Sequence, residues 1–558
     1  MISDKRTLIL ILVLIFSSCQ KPIEYTAVVV SAHQLASGIG KNILVSGGNA
    51  FDAAVAVHFA LQVVYPVAGN IGGGGFAVIR TKEGKSTTLD FREKAPMLAH
   101  EDMYLRADSS VDSNKSRIGH LAAGVPGSVE GMWQIHQKYG TLPWEELLNP
   151  SIELCKEGYL ISFLNAKKLN NKQEDFKNAN IGYQPWIINE NGWDQGDLIT
   201  QPYLAAVLTR IAKQGKEGFY DGETADLIVR EMNKANGLIS HEDLKAYKAV
   251  WRKPLIGKYR GYKVVSMPPP SSGGVALIQL LKGAEMHDLH KYPHNSIESI
   301  HLKTELERRV YADRATFLGD PDHYEIPTDR LISDDYIENR FQDISMSHKT
   351  DSKKIKDGKV DIIESMETTH YSIVDEQGNG IAVTTTLNGA YGCKVMVEGA
   401  GFLLNNEMDD FSAKPGTPNQ FGLIGAEANA IAPEKRMLSS MTPTILEEDG
   451  KLFMITGTPG GSTIITSVFQ SILNVIDHRM SMQESVNSKK VHSQWLPDSI
   501  YFEPDGLPQD VINGLKELGH GISKNNRKLG RIDAILVKPN GKLEGAADPR
   551  GEDSAEGY

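Results

Sequence analysis

Four stretches of this 558-residue chain carry strand-forming residues on both sides of a Gly-containing turn, the pattern of a β-hairpin. They are FAVIRTKEGKSTTLDF (76–91), HYSIVDEQGNGIAVTTTL (370–387), TPTILEEDGKLFMITG (442–457) and AILVKPNGKLEGAAD (534–548). The first stands far ahead of a charged, core-poor run, HKTDSKKIKDGKVDIIESME (348–367), and the other three follow it. If the four share one sheet system, residues from both sides of that run build a single body. Helices between the hairpins point to layered α/β structure. NAFDAAVAVHFALQVVYP (49–66) is apolar on nearly every side and is expected to be buried. NSIESIHLKTELERRVYADR (295–314) is expected to open with Asn295 and Glu298 as a capping box and to continue amphipathically. STIITSVFQSILNVIDH (462–478) has helical spacing, with Ser462 as its cap, and SMPPPSSGG (266–274) reads as a rigid loop before another helix. Length alone allows roughly three or four domains, or one large α/β unit.

The charged run stops at Glu367, and a strand begins at two adjacent threonines, Thr368 and Thr369. A surface loop entering a sheet explains this, and so does a cut that makes Thr368 a new N-terminus. A threonine hydroxyl is a poor nucleophile until a base takes its proton, and the residue's own freed α-amino group can do that. Its reference pKa of about 7.7–8.0 leaves a useful neutral fraction near pH 7. Equally, two threonines are ordinary β-branched strand residues, and at this level both readings stand.

Other functions are excluded more simply. Hydrophobic residues at 41% and charged residues at 23% are ordinary globular values. A formal net charge of −11, with no basic stripe interleaved with aromatics, argues against nucleic acid as a partner. Gly84-Lys85-Ser86 resembles the end of a P-loop, but Ile79 stands where that motif needs glycine. The 16 histidines include no HExxH, and Cys155 and Cys393 can form neither a zinc site nor a disulfide framework. Neither a metal nor another cofactor is expected.

The N-terminus, MISDKRTLILILVLIFSSCQKP, places Lys5 and Arg6 before the apolar run Leu8–Phe16. Such a run is far short of the roughly 20 residues that span a bilayer and matches the core of a signal peptide, so the chain is expected to be exported. The serines directly before Cys19 resemble a bacterial lipobox. Residues 1–18 would then be removed and Cys19 lipidated, giving a periplasmic, outer-membrane or cell-surface lipoprotein held to the membrane only by that anchor. A plain secretory peptide is the alternative.

Two glycine clusters, GNIGGGGF (69–76) and GTPGGST (457–463), could each hold an oxyanion on converging backbone amides. Close packing of backbone is the alternative for each. What decides between the alternatives is wording. The stretches GGNAFDAAVAV, GNIGGGGF, LDFREKAP, YRGYKVVSMPPPSSGG, YADRATFLGDPD, TTHYS, LLNNEMDDFSAKPG, SSMTPTI, TGTPGGSTII and GAADPR occur in that order and cover essentially everything after residue 28. Together they closely resemble the γ-glutamyltransferases, glutathione-processing members of the N-terminal-nucleophile hydrolases.

The resemblance implies a four-layer αββα sandwich, α/β in class, built jointly by two chains from one precursor. The precursor would cut itself between Glu367 and Thr368 into a large subunit, 19–367, and a small catalytic subunit, 368–558, which form a heterodimer. Thr368 would attack the γ-carbonyl of glutathione or a related γ-glutamyl compound and pass the glutamyl group to water, an amino acid or a dipeptide. Gly460 and Gly461 would form the oxyanion hole and Thr386 would orient Thr368. Arg92, helped by Ser439 and Ser440, would hold the substrate α-carboxylate; Asn388, Glu407 and Asp410 would hold its α-ammonium. Two departures stand out: Glu407 occupies a position that is Gln in many bacterial relatives, and in the lid-like stretch 414–431 Phe421 replaces the tyrosine gate of some relatives. Rival readings are a cephalosporin acylase of the same fold, whose glutaryl substrate lacks the ammonium, and an inactive surface-anchored protein that only binds amino acids.

Overall fold

The computed structural model describes residues 23–355 and 368–558. The expected signal peptide (1–18), Cys19 and Glu367 lie outside the described residues. Two sheets, antiparallel throughout, organise the chain. The strands of the first are β1 (Val28–Ser31), β2 (Gly74–Arg80), β3 (Ser86–Phe91), β4 (Val250–Arg252), β7 (Thr368–Val374), β8 (Gly380–Thr386) and β13 (Ser554–Gly557). Those of the second are β5 (Leu255–Tyr259), β6 (Tyr262–Ser266), β9 (Thr444–Glu448), β10 (Lys451–Thr456), β11 (Ala534–Val537) and β12 (Leu543–Ala546). The strand orders are β13-β1-β7-β8-β2-β3-β4 and β12-β11-β10-β9-β6-β5. All four hairpins read from the sequence are present, two in each sheet, and each sheet joins strands from both sides of the charged run. The chain is accordingly one interleaved body.

Alternation along the strands assigns the layers. Val29, Ala77, Ile79, Tyr371, Ile373, Ile381 and Val383 join a core shared with helix α1 (Ala50–Val64). Val28, Val30, Phe76, Val78, Val374 and Ala382 point the other way, into a core shared with Val264, Ile445, Leu446, Met454 and Ile455 of the second sheet. Helix α2 (Gly273–Met286) lies on β5 and β6, flanked by α3 (Ile297–Phe317) and α4 (Thr463–Ile476). The order of layers is helix, sheet, sheet, helix, as expected. Helix α1 is buried along its whole length, and its Asn49 cap forms a capping box with Asp52.

Three local expectations are corrected. The cap of α3 is Ser296, whose Oγ accepts the Ser299 amide at 3.2 Å, while Asn295 sits one residue outside with φ 54°. Nor is α3 amphipathic: Ser299 to Ala315 are all buried. Its charges are satisfied inside the protein, Glu305 pairing with Arg308 at 2.6 Å and Arg309 at 2.7 Å, so a charged pattern does not mark a solvent face here. Ser462 stands at the start of α4 in helical conformation and makes no side-chain capping bond to the helix; its carbonyl accepts the Tyr311 hydroxyl. Cys155 and Cys393 are buried free thiols, and no described helix is long and apolar enough to cross a membrane.

The first glycine cluster is explained by strand packing. A β-carbon at Gly73 would lie 2.1 Å from the Thr386 carbonyl oxygen, and one at Gly75 would lie 2.4 Å from that of Thr384. Bare backbone lets β2 lie against β8. Gly75→Ala is therefore expected to lower the thermal midpoint, at a cost of about 1–3 kcal/mol; an unchanged melting curve would count against this account.

Candidate active site

Thr368, the first residue of β7, stands opposite Thr386, the last of β8. The Thr368 hydroxyl donates to Thr386 Oγ1 across 3.4 Å, a long contact, and the Asn388 amide donates to the same oxygen at 2.7 Å. Asn388 has φ 74°, a left-handed conformation that asparagine tolerates, and turns the chain so that its Nδ2 donates to the Asn406 carbonyl at 3.0 Å. His370 is the histidine nearest along the same strand face. Burial pushes its pKa down to about 3, and its ring nitrogens meet Thr384 Oγ1 at 2.8 Å and Ser372 Oγ at 3.0 Å. This neutral imidazole is engaged within the sheet.

Beside Thr368 lies a cavity of about 20 Å³, lined among others by Thr386, Asn388, Arg92, Glu407, Asp410 and Gly461. Thus the structure brings together nine of the ten predicted catalytic and binding residues, Ser439 and Ser440 included. Arg92 Nη1 meets Glu407 Oε1 at 2.5 Å and Nη2 meets Asp410 Oδ2 at 2.6 Å, while Glu93 Oε2 lies 3.5 Å from Nη1. One guanidinium therefore faces three buried carboxyls. Burial, opposed by Arg92 and reinforced by the neighbouring acids, pushes Glu407 well above the usual carboxylate range. Burial likewise raises Asp410, and it takes Glu93 up to about 7. The Arg92 guanidinium stays charged, because its three acids outweigh the burial that opposes it. One cation cannot hold three anions in a medium of low polarity, so this cluster carries protons near neutrality.

Such an arrangement suits a zwitterion. A volume of about 20 Å³ admits roughly one water, so a larger head group must part Arg92 from its acids. A carboxylate could then take the guanidinium and an ammonium the acids, each charge replacing the one it displaces.

The Ser439-Ser440 segment is held by the proline-rich loop. Ser439 N donates to the Pro270 carbonyl at 2.9 Å, and Ser272 Oγ donates to the Ser439 carbonyl at 2.6 Å. Sequence reasoning missed one residue here. Arg314, buried on α3, donates through Nη2 to Ser440 Oγ at 3.2 Å and through Nε to Ser272 Oγ at 3.0 Å; burial pulls its pKa down to about 10. Because Ser440 Oγ accepts from Arg314, its own proton is left to be donated into the cavity. Arg314 sits in YADRATFLGDPD, and only its tertiary neighbours single it out there.

The second glycine cluster differs from the first. Gly461, φ 54°, lines the small cavity at the start of α4, and Phe421 packs against it, since a β-carbon at Gly461 would come within 2.5 Å of that ring. Gly460 is the one predicted residue outside the lining, set behind with φ 139° and its carbonyl accepting Thr463 N at 3.0 Å. The stretch 414–431 does cover the cavity. Asn419 Nδ2 donates to Asp410 Oδ1 at 2.8 Å and the Gln420 amide donates to Asp409 Oδ2 at 2.8 Å. Among the described residues no group of three or more His, Cys, Asp or Glu is placed to hold a metal ion.

A sequence model of the gamma-glutamyltranspeptidase family matches residues 36–558. The chain belongs to this family. It is 44% identical over 533 residues to the glutathione hydrolase proenzyme of Escherichia coli (strain K12), a match covering 95% of this chain and 91% of the relative. It is 34% identical over 527 residues to an acylase ACY 1 proenzyme of Pseudomonas sp. (strain V22), covering 93% and 91%. Among solved structures, the Helicobacter pylori gamma-glutamyltranspeptidase is 44% identical with a TM-score of 0.56, covering 58% of this chain and 94% of that one. A cephalosporin acylase from Bacillus halodurans, at 24% identity, shares the fold with a TM-score of 0.83 over 100% and 99% of the two chains.

Two outcomes are expected of this family member. Arg92→Lys, which keeps the charge but loses the planar fork, should raise KM for a γ-glutamyl anilide about 10- to 100-fold with a smaller change in kcat. The wild-type KM should fall as pH rises from about 5 to about 8, because ionised acids hold an ammonium and protonated ones do not. Glu407→Gln, neutral at every pH, should flatten that profile; an unchanged slope would remove Glu407 from ammonium binding.

Proposed function

We propose that this protein is a self-processing γ-glutamyltransferase and glutathione hydrolase with Thr368 as nucleophile. The observation that carries the reading is that Thr368 opens a buried strand and lines the same small cavity as Arg92, Glu407 and Asp410. A hydroxyl thereby faces charges matched to the head group of an α-amino acid. Before the cut, the Thr368 hydroxyl attacks the Glu367 carbonyl. The acyl group shifts from nitrogen to oxygen, which frees the Thr368 α-amine, and water then cleaves the resulting ester, releasing the Thr368 hydroxyl and a new carboxylate at Glu367. That amine, its pKa near the working pH, takes the hydroxyl proton in each later turnover.

In the transfer reaction the Thr368 oxygen attacks the γ-carbonyl of the bound glutamyl group. The backbone amides of Gly460 and Gly461, at the start of α4, stabilise the charge that develops on the carbonyl oxygen, and Thr386 orients the nucleophile. The leaving amine takes its proton from the Thr368 ammonium, and a γ-glutamyl ester remains. Water or the amine of an amino acid or dipeptide then attacks that ester and regenerates Thr368. Subunits of 19–367 and 368–558 follow from the cut. The Helicobacter pylori chain, matched over 94% of its length to 58% of this one, has the proportions of one such piece. The leader and Cys19 support export and a lipid anchor in the periplasm or on the outer membrane.

Acylase proenzymes are also among the relatives. Glu407 and Asp410 favour the γ-glutamyl reading, because a glutaryl group offers them no ammonium. Intact-mass measurement of the protein expressed without residues 1–18 and incubated to maturity should give two fragments, the smaller beginning at Thr368. Thr368→Ala should remain one chain and lose at least about a thousandfold in kcat, and Thr368→Ser should cut. A Thr368→Ala protein that still splits would refute the assignment.

A further inference from the structure

Helix α3 sends two side chains toward the site from one face, a turn apart. Tyr311 donates its hydroxyl proton to the Ser462 carbonyl at the start of α4, and Arg314 reaches Ser440 Oγ at 3.2 Å and Ser272 Oγ at 3.0 Å. The reaction above gives Arg314 no part. Only 5% of its surface is exposed, and both of these partners are neutral hydroxyls. Among the described residues it forms no direct ion pair. The ionisable groups whose charge reaches it are Tyr311, Asp410 and Arg92, and Asp410 is already paired with Arg92 at 2.6 Å. A guanidinium buried in this way has lost its water without gaining an anion of its own.

The position of Ser440 connects this charge to the small cavity. A serine hydroxyl has one proton to give and lone pairs with which to accept. Ser439 Oγ accepts the Met441 amide at 3.1 Å, Ser440 Oγ accepts from Arg314, and both serines line the cavity. Accepting from a cation polarises the Ser440 hydroxyl and makes its proton the stronger donor. That proton must also point away from the guanidinium. Arg92 lies alongside: its Nε donates to the Met437 carbonyl at 3.3 Å and its Nη2 to the Leu438 carbonyl at 3.5 Å, the two residues directly ahead of the serines. A carboxylate that meets Arg92 therefore comes beside Ser440 as well.

We propose that Arg314 is a positioning residue for the donor's α-carboxylate, acting through Ser440. Its guanidinium holds the Ser440 hydroxyl with the proton toward the cavity, and the site thereby prefers γ-glutamyl donors to acyl groups that lack this carboxylate. Arg314 itself does not touch the substrate. The proposal deepens the γ-glutamyl reading above and rests on it.

The test uses the mature protein and its Arg314→Gln, Arg314→Lys, Ser440→Ala and Arg314→Gln/Ser440→Ala variants. Two quantities are read: kcat and KM for γ-glutamyl-4-nitroanilide, and competitive inhibition by L-glutamate and by its α-amide, which keeps the ammonium and lacks the α-carboxylate. Arg314→Gln should raise KM about tenfold, the worth of one hydrogen bond to a charged group, with kcat held within about twofold. Arg314→Lys should recover part of that loss. The double variant should have a KM no higher than that of Ser440→Ala, because the arginine acts through that hydroxyl. The preference for L-glutamate over its α-amide should fall about tenfold in Arg314→Gln. Single-variant effects on KM that multiply in the double variant, a loss confined to kcat, or an unchanged preference would each overturn the proposal. If Arg314→Gln fails to mature, Arg314→Lys carries the same readings, and failure of both to mature would overturn the proposal by making the arginine purely structural. A wild type that binds L-glutamate and its α-amide alike would overturn the γ-glutamyl reading itself, and this inference with it.

Discussion

The pairing of β7 with β8 is the constraint on which the site depends. It sets Thr368 against Thr386 at the end of an interior strand pair, and the ladder continues through Thr369 opposite Thr385 and His370 opposite Thr384. On its other side β7 pairs with β1 only as far as Tyr371, so the first three residues of β7 hold their place through β8. A chain cut ahead of Thr368 would keep these bonds, because none involves a residue before it. Strand β8 in turn lies against β2 only because Gly73 and Gly75 have no side chains to push it away. The position of one hydroxyl thus rests on backbone hydrogen bonds and glycine contacts spread over three strands.

Charge is what distinguishes the small cavity. Arg92 is held between Glu407 and Asp410, with Glu93 behind it, and these four groups alone balance only when two of the acids are protonated. A zwitterion brings one charge of each sign and can occupy both kinds of partner at once, whereas a simple carboxylate meets Arg92 and leaves the acids without a cation. The surrounding polypeptide keeps this balance by position. The proline-rich loop holds Ser439 and Ser440 in place, and Arg314 adds a second buried cation whose link to the cavity is the Ser440 hydroxyl.

Two glycine clusters that look alike in sequence do different work. GNIGGGGF is occupied with strand contacts, while GTPGGST leads into α4 and presents Gly461 to the cavity beneath Phe421. The ring of Phe421 has no hydroxyl with which to tether itself, and the covering stretch is tied down instead by Asn419 on Asp410 and Gln420 on Asp409. Asp410, which we propose reads the substrate's ammonium, also helps hold the cover.

Much of this was legible in the chain itself. The hairpins announce themselves through turn glycines and alternation, the burial of α1 through its unbroken apolar surface, and the site residues through motifs whose order matches a known family. These signals are local, or are copied whole from relatives. What the sequence could not say is what each residue meets. The charged pattern of α3 reads as a solvent face because the partners of Glu305 and Arg314 are chosen by folding, and a cap one residue away at Ser296 depends on where Asn295 turns left-handed. Likewise, the contacts of Arg92 with Glu407 and Asp410, more than three hundred residues away, and of Arg314 with Ser440, exist only in three dimensions. Sequence determined which chemical groups this protein carries and the local strands and helices that carry them; the tertiary structure alone decided which charges face each other, because electrostatic energy depends on distance through space and not along the chain.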